Sequence, residues 1–232
     1  IVFGDWSSDV CSSDLWEFNI HPSSSEDELV FNVLNVLGDV KELLTPLDLS
    51  VCLEPIALFA EEELQHPKAK EAGCSVDFNA WTMGPNSPPD LSKTNMRSFG
   101  GHLHVEWNKI NSPIKQVKFA RVLDQTAGIP SVIMDSNTQR RKLYGSAGCF
   151  RPKSKKSGDA FNGLEYRSLS NFWVREETTI RWAWKAVHSA ITRFDELSKV
   201  SIVHGDRIID IINTSNVSEA KKFCKEFNIA VG

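Results

Sequence analysis

Cysteine is sparse in this 232-residue chain, with five residues. That is too few for a disulfide framework, so a reducing cytoplasm is the default expectation. Long apolar runs are missing too: none approaches the roughly 20 residues needed to cross a bilayer, and no membrane partner is expected. An excess of basic charge is also missing. With 26 Lys and Arg against 30 Asp and Glu, the formal charge is −4, which argues against a nucleic-acid-binding face as the main business. No internal repeat is visible. What is there is ordinary for a globular protein: 41% hydrophobic and 24% charged residues, in a length that suits one large or two small domains and a sizeable core.

The chain begins at Ile1, and Asp5–Leu15 shows neither a helical nor a strand period. This stretch resembles the translation of a common short-read sequencing adapter. Residues 1–15 are therefore read as a non-native leader, residues 16–200 as one catalytic domain, and residues 201–232 as a C-terminal extension packing on that domain. Asp5, Trp6, Asp9, Cys11 and Asp14 then carry no functional weight, and the native start of the gene is expected to be missing.

From Trp16 the elements are mixed. Trp16–Ile20 reads as a short strand, and Ser25-Glu-Asp-Glu28 has the form of a capping box opening an apolar-faced helix that Pro46 closes. Leu49–Phe59 reads as a strand interrupted by Pro55, and residues 60–99 as loop-rich. Gly100–Trp107 reads as a strand, Pro113 to Gly128 as a helix, residues 135–162 as a long polar basic loop, and Gly163–Leu169 as a strand. A helix is expected from Ser170 to Lys199 and a last one from Ser218. Without a βαβ cadence the fold class is α+β.

Three clusters carry chemistry. His102 and His104, two apart on a strand, share one face, and Glu106 continues it. Such a pair is a candidate metal or phosphate ligand, although polar outward residues of a surface strand give the same pattern. The run Arg140-Arg141-Lys-Leu-Tyr144-Gly-Ser-Ala-Gly-Cys-Phe-Arg151-Pro-Lys153 combines cations with glycines. Arg forks bind phosphate oxygens and Gly admits backbone amides, and the interleaved aromatics set the run apart from a merely solvated loop. In Gly163-Leu-Glu165-Tyr-Arg167, the Glu and the Arg share a strand face. A structural ion pair is one reading; a metal-holding carboxylate beside a phosphate-holding arginine is the other. Glu17 is a further candidate carboxylate ligand. Together the inventory asks for an anionic nucleotide with a divalent metal.

The ordered blocks Glu17–Pro22, Gly73–Ala80, Gly100–His104, Asp124–Pro130, Arg140–Arg151 and Gly163–Trp173 resemble the phage-encoded COOH–NH2 ligase (amidoligase) family of the glutamine synthetase and glutamate–cysteine ligase superfamily. The resemblance implies a curved antiparallel sheet flanked by helices. It also implies ATP-dependent amide formation through an acyl phosphate, with Mg²⁺ or Mn²⁺, and small-molecule or peptide carboxylate and amine substrates. Carried over by position, Glu17, His102 and Glu165 match metal ligands, and Arg140, Arg141 and Arg167 the catalytic arginines. His104, Tyr144, Arg151 and Lys153 match the nucleotide side. The resemblance further implies action in the cytoplasm, the host's if the gene is phage-encoded; a homo-oligomer is left open, because glutamine synthetase relatives form rings but this chain is short. Family members start with an earlier acidic strand, so the chain as it stands is expected to be inactive and poorly stable.

Two rivals differ in class. A metallohydrolase built on His-x-His would want more ligands than His21, His66, His188 and His204 offer. A non-catalytic binding protein would keep the fold without binding Mg-ATP. Cys149 lies in the basic run without an evident His base, which argues against a nucleophile.

Overall fold

The computed structural model describes residues 17–66, 69 and 77–232. The adapter-like leader, Trp16 and the Gly73–Val76 part of one family block lie outside the described residues. The fold is α+β. Helix α1 (Glu26–Leu44) starts where Ser25 Oγ accepts the Glu28 N–H at 3.2 Å. Glu28 reaches back to the N–H and hydroxyl of Ser24 rather than to Ser25, one residue off the expected capping box. Residues 17–20 are irregular rather than a strand.

Short strands follow: β1 (Ile56–Leu58), β2 (Phe78–Asn79), β3 (Gly84–Pro85) and β4 (Met96–Ser98). The expected strand over Leu49–Phe59 is thus cut to three residues, because Pro55 cannot donate to a ladder. Then come β5 (Leu103–Glu106), α2 (Pro113–Leu123), α3 (Ile129–Met134), β6 (Cys149–Lys153) and β7 (Gly163–Tyr166). Helices α4 (Glu177–Thr192), α5 (Phe194–Thr214) and α6 (Val217–Glu226) finish the chain.

β1 pairs with β4, and five strands form an antiparallel sheet in the order β3-β2-β6-β7-β5. Strand β6 corrects the reading of 135–162 as loop. Its sequence, Cys149-Phe-Arg-Pro-Lys153, looks like a broken basic run. Cys149 O accepts from Arg167 N and Gly148 O from Ala80 N, so alternate residues bond to opposite neighbours. Pro152 therefore points its nitrogen away from β7, and no bond of the β6–β7 ladder is lost.

Period two divides the sheet. Leu103, Val105, Leu164 and Tyr166 are buried on the face that meets the helices, with α2 packed on β6 and β7. His104, Arg151, Lys153 and Glu165 occupy the other face, and all but Arg151 are buried. A second apolar cluster joins Ile129 and Val132 of α3 to Ile208, Ile211 and Ile212 of α5 and Phe223 of α6.

The helix expected from Ser170 to Lys199 is three pieces: a 3-10 turn over Asn171–Val174, then α4, then α5, which runs on past residue 200. The break falls at Arg193, whose guanidinium leaves the helix line to donate to Phe227 O and Asn228 O at 2.8 and 3.0 Å. The helix expected from Pro113 to Gly128 ends at Leu123, and a π turn covers Asp124–Gly128. Pro130 lacks the N–H that would continue an α ladder, and the wider turn absorbs the loss.

The π turn aims Asp124 into the core. Its fully buried carboxylate accepts from Trp81 Nε1 at 2.6 Å and Tyr166 Oη at 2.7 Å, with Arg121 and Cys149 nearby. Burial raises its pKa to about 6, against the pull of the Tyr166, Trp81 and Gly148 hydrogen bonds. A raised carboxyl pKa stabilises the fold most below the unfolded value, and that contribution fades as pH rises through 6. Asp124→Asn is therefore expected to flatten the fall in unfolding free energy between pH 4 and 7 by about 3 kcal/mol. An unchanged slope in urea melts across that range would contradict it.

Candidate active site

Glu165 sits in the middle of the polar sheet face because register puts it there. Its direct cross-strand neighbours are His104 on β5 and Arg151 on β6. Its side chain is fully buried and its oxygens are crowded by donors. Oε1 takes His102 Nδ1 at 3.1 Å and a short bond from Arg167 Nη1. Oε2 takes Arg151 Nη1 at 3.1 Å, with Lys153 Nζ at 3.5 Å and His104 Nε2 at 3.7 Å. Burial works to raise the Glu165 pKa. The hydrogen bonds from His102 and His104, and the charges of His102 and Arg167, outweigh it and hold the carboxyl well below the usual range. Burial and then the Arg167 charge push His102 down to about 4, although 22% of its side chain meets solvent. At neutral pH the ring is uncharged, and its Nδ1 proton faces Glu165.

A second carboxylate, Asp77, completes the cluster and went unrecognised in the sequence. It accepts from Tyr144 Oη at 2.7 Å and lies 3.5 Å from Arg167 Nε, which itself donates to Tyr144 Oη. Asn86 Nδ2 donates to the other Asp77 oxygen at 2.9 Å. The only signal was its place inside the Gly73–Ala80 block.

The structure thus brings together His102, His104, Tyr144, Arg151, Lys153, Glu165 and Arg167. It places four other expected residues elsewhere. Arg140 is almost wholly buried and donates to backbone carbonyls of Phe99, Arg167 and Ser168. Arg141 donates to Ser131 Oγ at 2.7 Å, between the basic run and α3. Neither guanidinium is bonded to Glu165: Arg140 donates to backbone carbonyls and Arg141 to Ser131. Glu17 is exposed in irregular chain ahead of α1, and Glu106 is exposed with Lys155 Nζ at 3.7 Å.

The residues present do not fit a divalent metal. Both Glu165 oxygens already accept cationic donors, and among the described residues no group of three His, Cys, Asp or Glu side chains could hold a metal ion. The cations Arg151, Lys153 and Arg167 converge on Glu165 in a nearly dry site, the kind of donor set that also suits an anion, with Asp77 beside Arg167 and Asp159 3.8 Å from Lys153. Cys149 is no nucleophile here. Its buried thiol bonds to Asn86 and Ser146, and burial, reinforced by the Asp77 charge, raises it to about 11.

Among the described residues no helix is long and apolar enough to cross a membrane. Searches of curated proteins and of solved structures gave no match. A family model does match. It spans residues 92–209, just over half of the chain, from the turn before β4 into α5, and so contains every Glu165 partner named above. The chain belongs to the family described as phage phiEco32-like COOH.NH2 ligase-type 2.

Proposed function

We propose that the chain joins a carboxylate to an amine using ATP, through an acyl phosphate. Family membership supplies the activity class, carboxylate–amine ligation. The observation that supports the ATP reading is the set of Arg151, Lys153 and Arg167 held around the buried Glu165. Acyl-phosphate formation gathers negative charge on a transferring phosphoryl group, and prearranged cations in a dry site stabilise that charge. The magnesium or manganese that the resemblance implies does not fit the Glu165 cluster as it stands, so the three side chains are the groups assigned to the phosphates.

In this reading a substrate carboxylate oxygen attacks the γ-phosphorus, the bond to the bridging oxygen breaks, and ADP leaves. The amine then attacks the acyl carbon, phosphate departs with the original carboxylate oxygen, and the amine gives up a proton. Glu165 holds the cations in place, and Asp77 with Tyr144 fixes the second edge of Arg167. The polar-faced sheet backed by helices is in keeping with a glutamine synthetase-like catalytic fold, which belongs to the same proposal. Its acid and amine substrates are small molecules or peptides.

An isotope experiment tests it. Acid–amine pairs are offered with ATP and a carboxylate labelled with ¹⁸O. The expected result is a product lighter than the summed substrates by one water, and one ¹⁸O atom in the released phosphate. Product without label in phosphate would remove the acyl phosphate; product formed equally well without ATP would remove the ATP reading.

A further inference from the structure

Arg140 is a buried cation that makes no ion pair among the described residues. Its side chain is 1% exposed, and its partners are backbone carbonyls: Phe99 O at 2.7 Å from Nε, Ser168 O at 3.0 Å from Nη1, and Arg167 O at 3.5 Å from Nη2. The Tyr144 ring lies beneath it, 5.4 Å from the guanidinium carbon. These carbonyls come from two segments. Phe99 leads into Gly100-Gly101-His102, and Arg167-Ser168 leaves β7 just after Glu165.

The two segments need holding. Regular β5–β7 pairing ends at Leu103↔Tyr166, so His102 and Arg167 sit one step beyond the ladder. Past that point the segments share a Gly101 N to Leu169 O bond of 3.1 Å and an isolated bridge between Gly100 and Ser170. A planar fork with fixed donor directions can join two carbonyl-bearing segments where strand pairing has stopped, and a point-charge ammonium cannot. Local structure is built to deliver it. Asn137 Oδ1 accepts the Arg140 N–H at 3.1 Å, and Asp135 holds both the Asn137 N–H and the Ser170 hydroxyl. Gly145, at φ +85°, makes room: a Cβ there would lie 2.0 Å from Arg140 Nη1.

We infer that Arg140 is a positioning residue of the ligase site, clamping the ends of β5 and β7 so that His102 and Arg167 both reach Glu165. The inference rests on the ligase reading for its functional consequence, while the clamp itself is separately measurable. Amide exchange is followed in the full chain and in its Arg140→Lys and Gly145→Ala variants, the second of which keeps the guanidinium but crowds it. Binding of a non-hydrolysable ATP analogue is measured on the same samples by calorimetry.

Both variants are expected to lose Gly101 amide protection by roughly tenfold or more while α5 keeps its own. Analogue affinity is expected to fall by a similar factor although Arg140→Lys preserves the charge. Retained Gly101 protection in Arg140→Lys would overturn the inference, since charge alone would then suffice. Protection lost evenly across α4 and α5 in both variants would also overturn it, by making Arg140 a general core residue. If the unaltered chain binds no analogue, the ligase reading falls, and the exchange result still decides the clamp.

Discussion

Glu165→Gln is expected to lower unfolding free energy by about 3–5 kcal/mol at neutral pH and to abolish ligation, because it removes the buried charge that three cations share. Arg151, Lys153 and Arg167 converge on this one wholly buried carboxylate. Glutamine preserves the shape but removes the charge, and its amide nitrogen turns a donor toward donors. Asp77 still faces Arg167 and Asp159 lies 3.8 Å from Lys153, so Glu165 is the charge that ties the three cations together.

The sign with pH follows from the depressed Glu165 pKa. Its stabilising contribution is fully present above the unfolded glutamate value near 4.3 and is lost as pH falls toward the folded value. The gap between parent and variant in urea melts should therefore be widest at neutral pH and narrow in acid. A double-mutant cycle adds a check: Arg151→Met should cost much less in the Glu165→Gln background than alone. Additive effects would mean that the two side chains do not support each other.

The second large effect is expected at Trp173. The 3-10 turn that carries it is capped by Ser170, whose Oγ accepts the Phe172 N–H. The indole is 2% exposed and donates from Nε1 to Gly101 O at 2.9 Å. The fit is close on the other side as well: a Cβ on Gly101 would come within 2.4 Å of that indole nitrogen. Trp173→Ala should cost about 3–5 kcal/mol through the cavity it leaves. Trp173→Phe keeps much of the volume but strands the Gly101 carbonyl, and about 1–3 kcal/mol is expected. Denaturant melts at constant slope measure both. An alanine variant within 1 kcal/mol of the parent would show that the ring is not an anchor.

Legibility in the sequence followed the range of the interaction. Glu165 and Arg167 could be placed on one strand face because they are two residues apart, and His102 and His104 likewise; α1 announced its start through Ser25. The strand β6 did not. Arg151 and Lys153 read as part of a loop on the nucleotide side, since the carboxylate they pair with lies on β7, 14 and 12 residues further along the chain. Arg140 and Arg141 read as phosphate ligands for the same reason: nothing local shows that Arg140 donates to backbone carbonyls and Arg141 to Ser131. The helix break at Arg193 depends on carbonyls at Phe227 and Asn228, equally distant in sequence.

By itself, then, the sequence determined the α+β class, the alternating faces and the stock of His, Glu and Arg, because propensity and period are local properties of the chain. Tertiary structure alone decided which cations surround Glu165, that Asp77 joins them, and that Arg140 braces the site from behind. Those outcomes rest on the register of β5, β6 and β7 and on burial. Low-dielectric pairing between residues far apart in the chain leaves no period for a sequence to display.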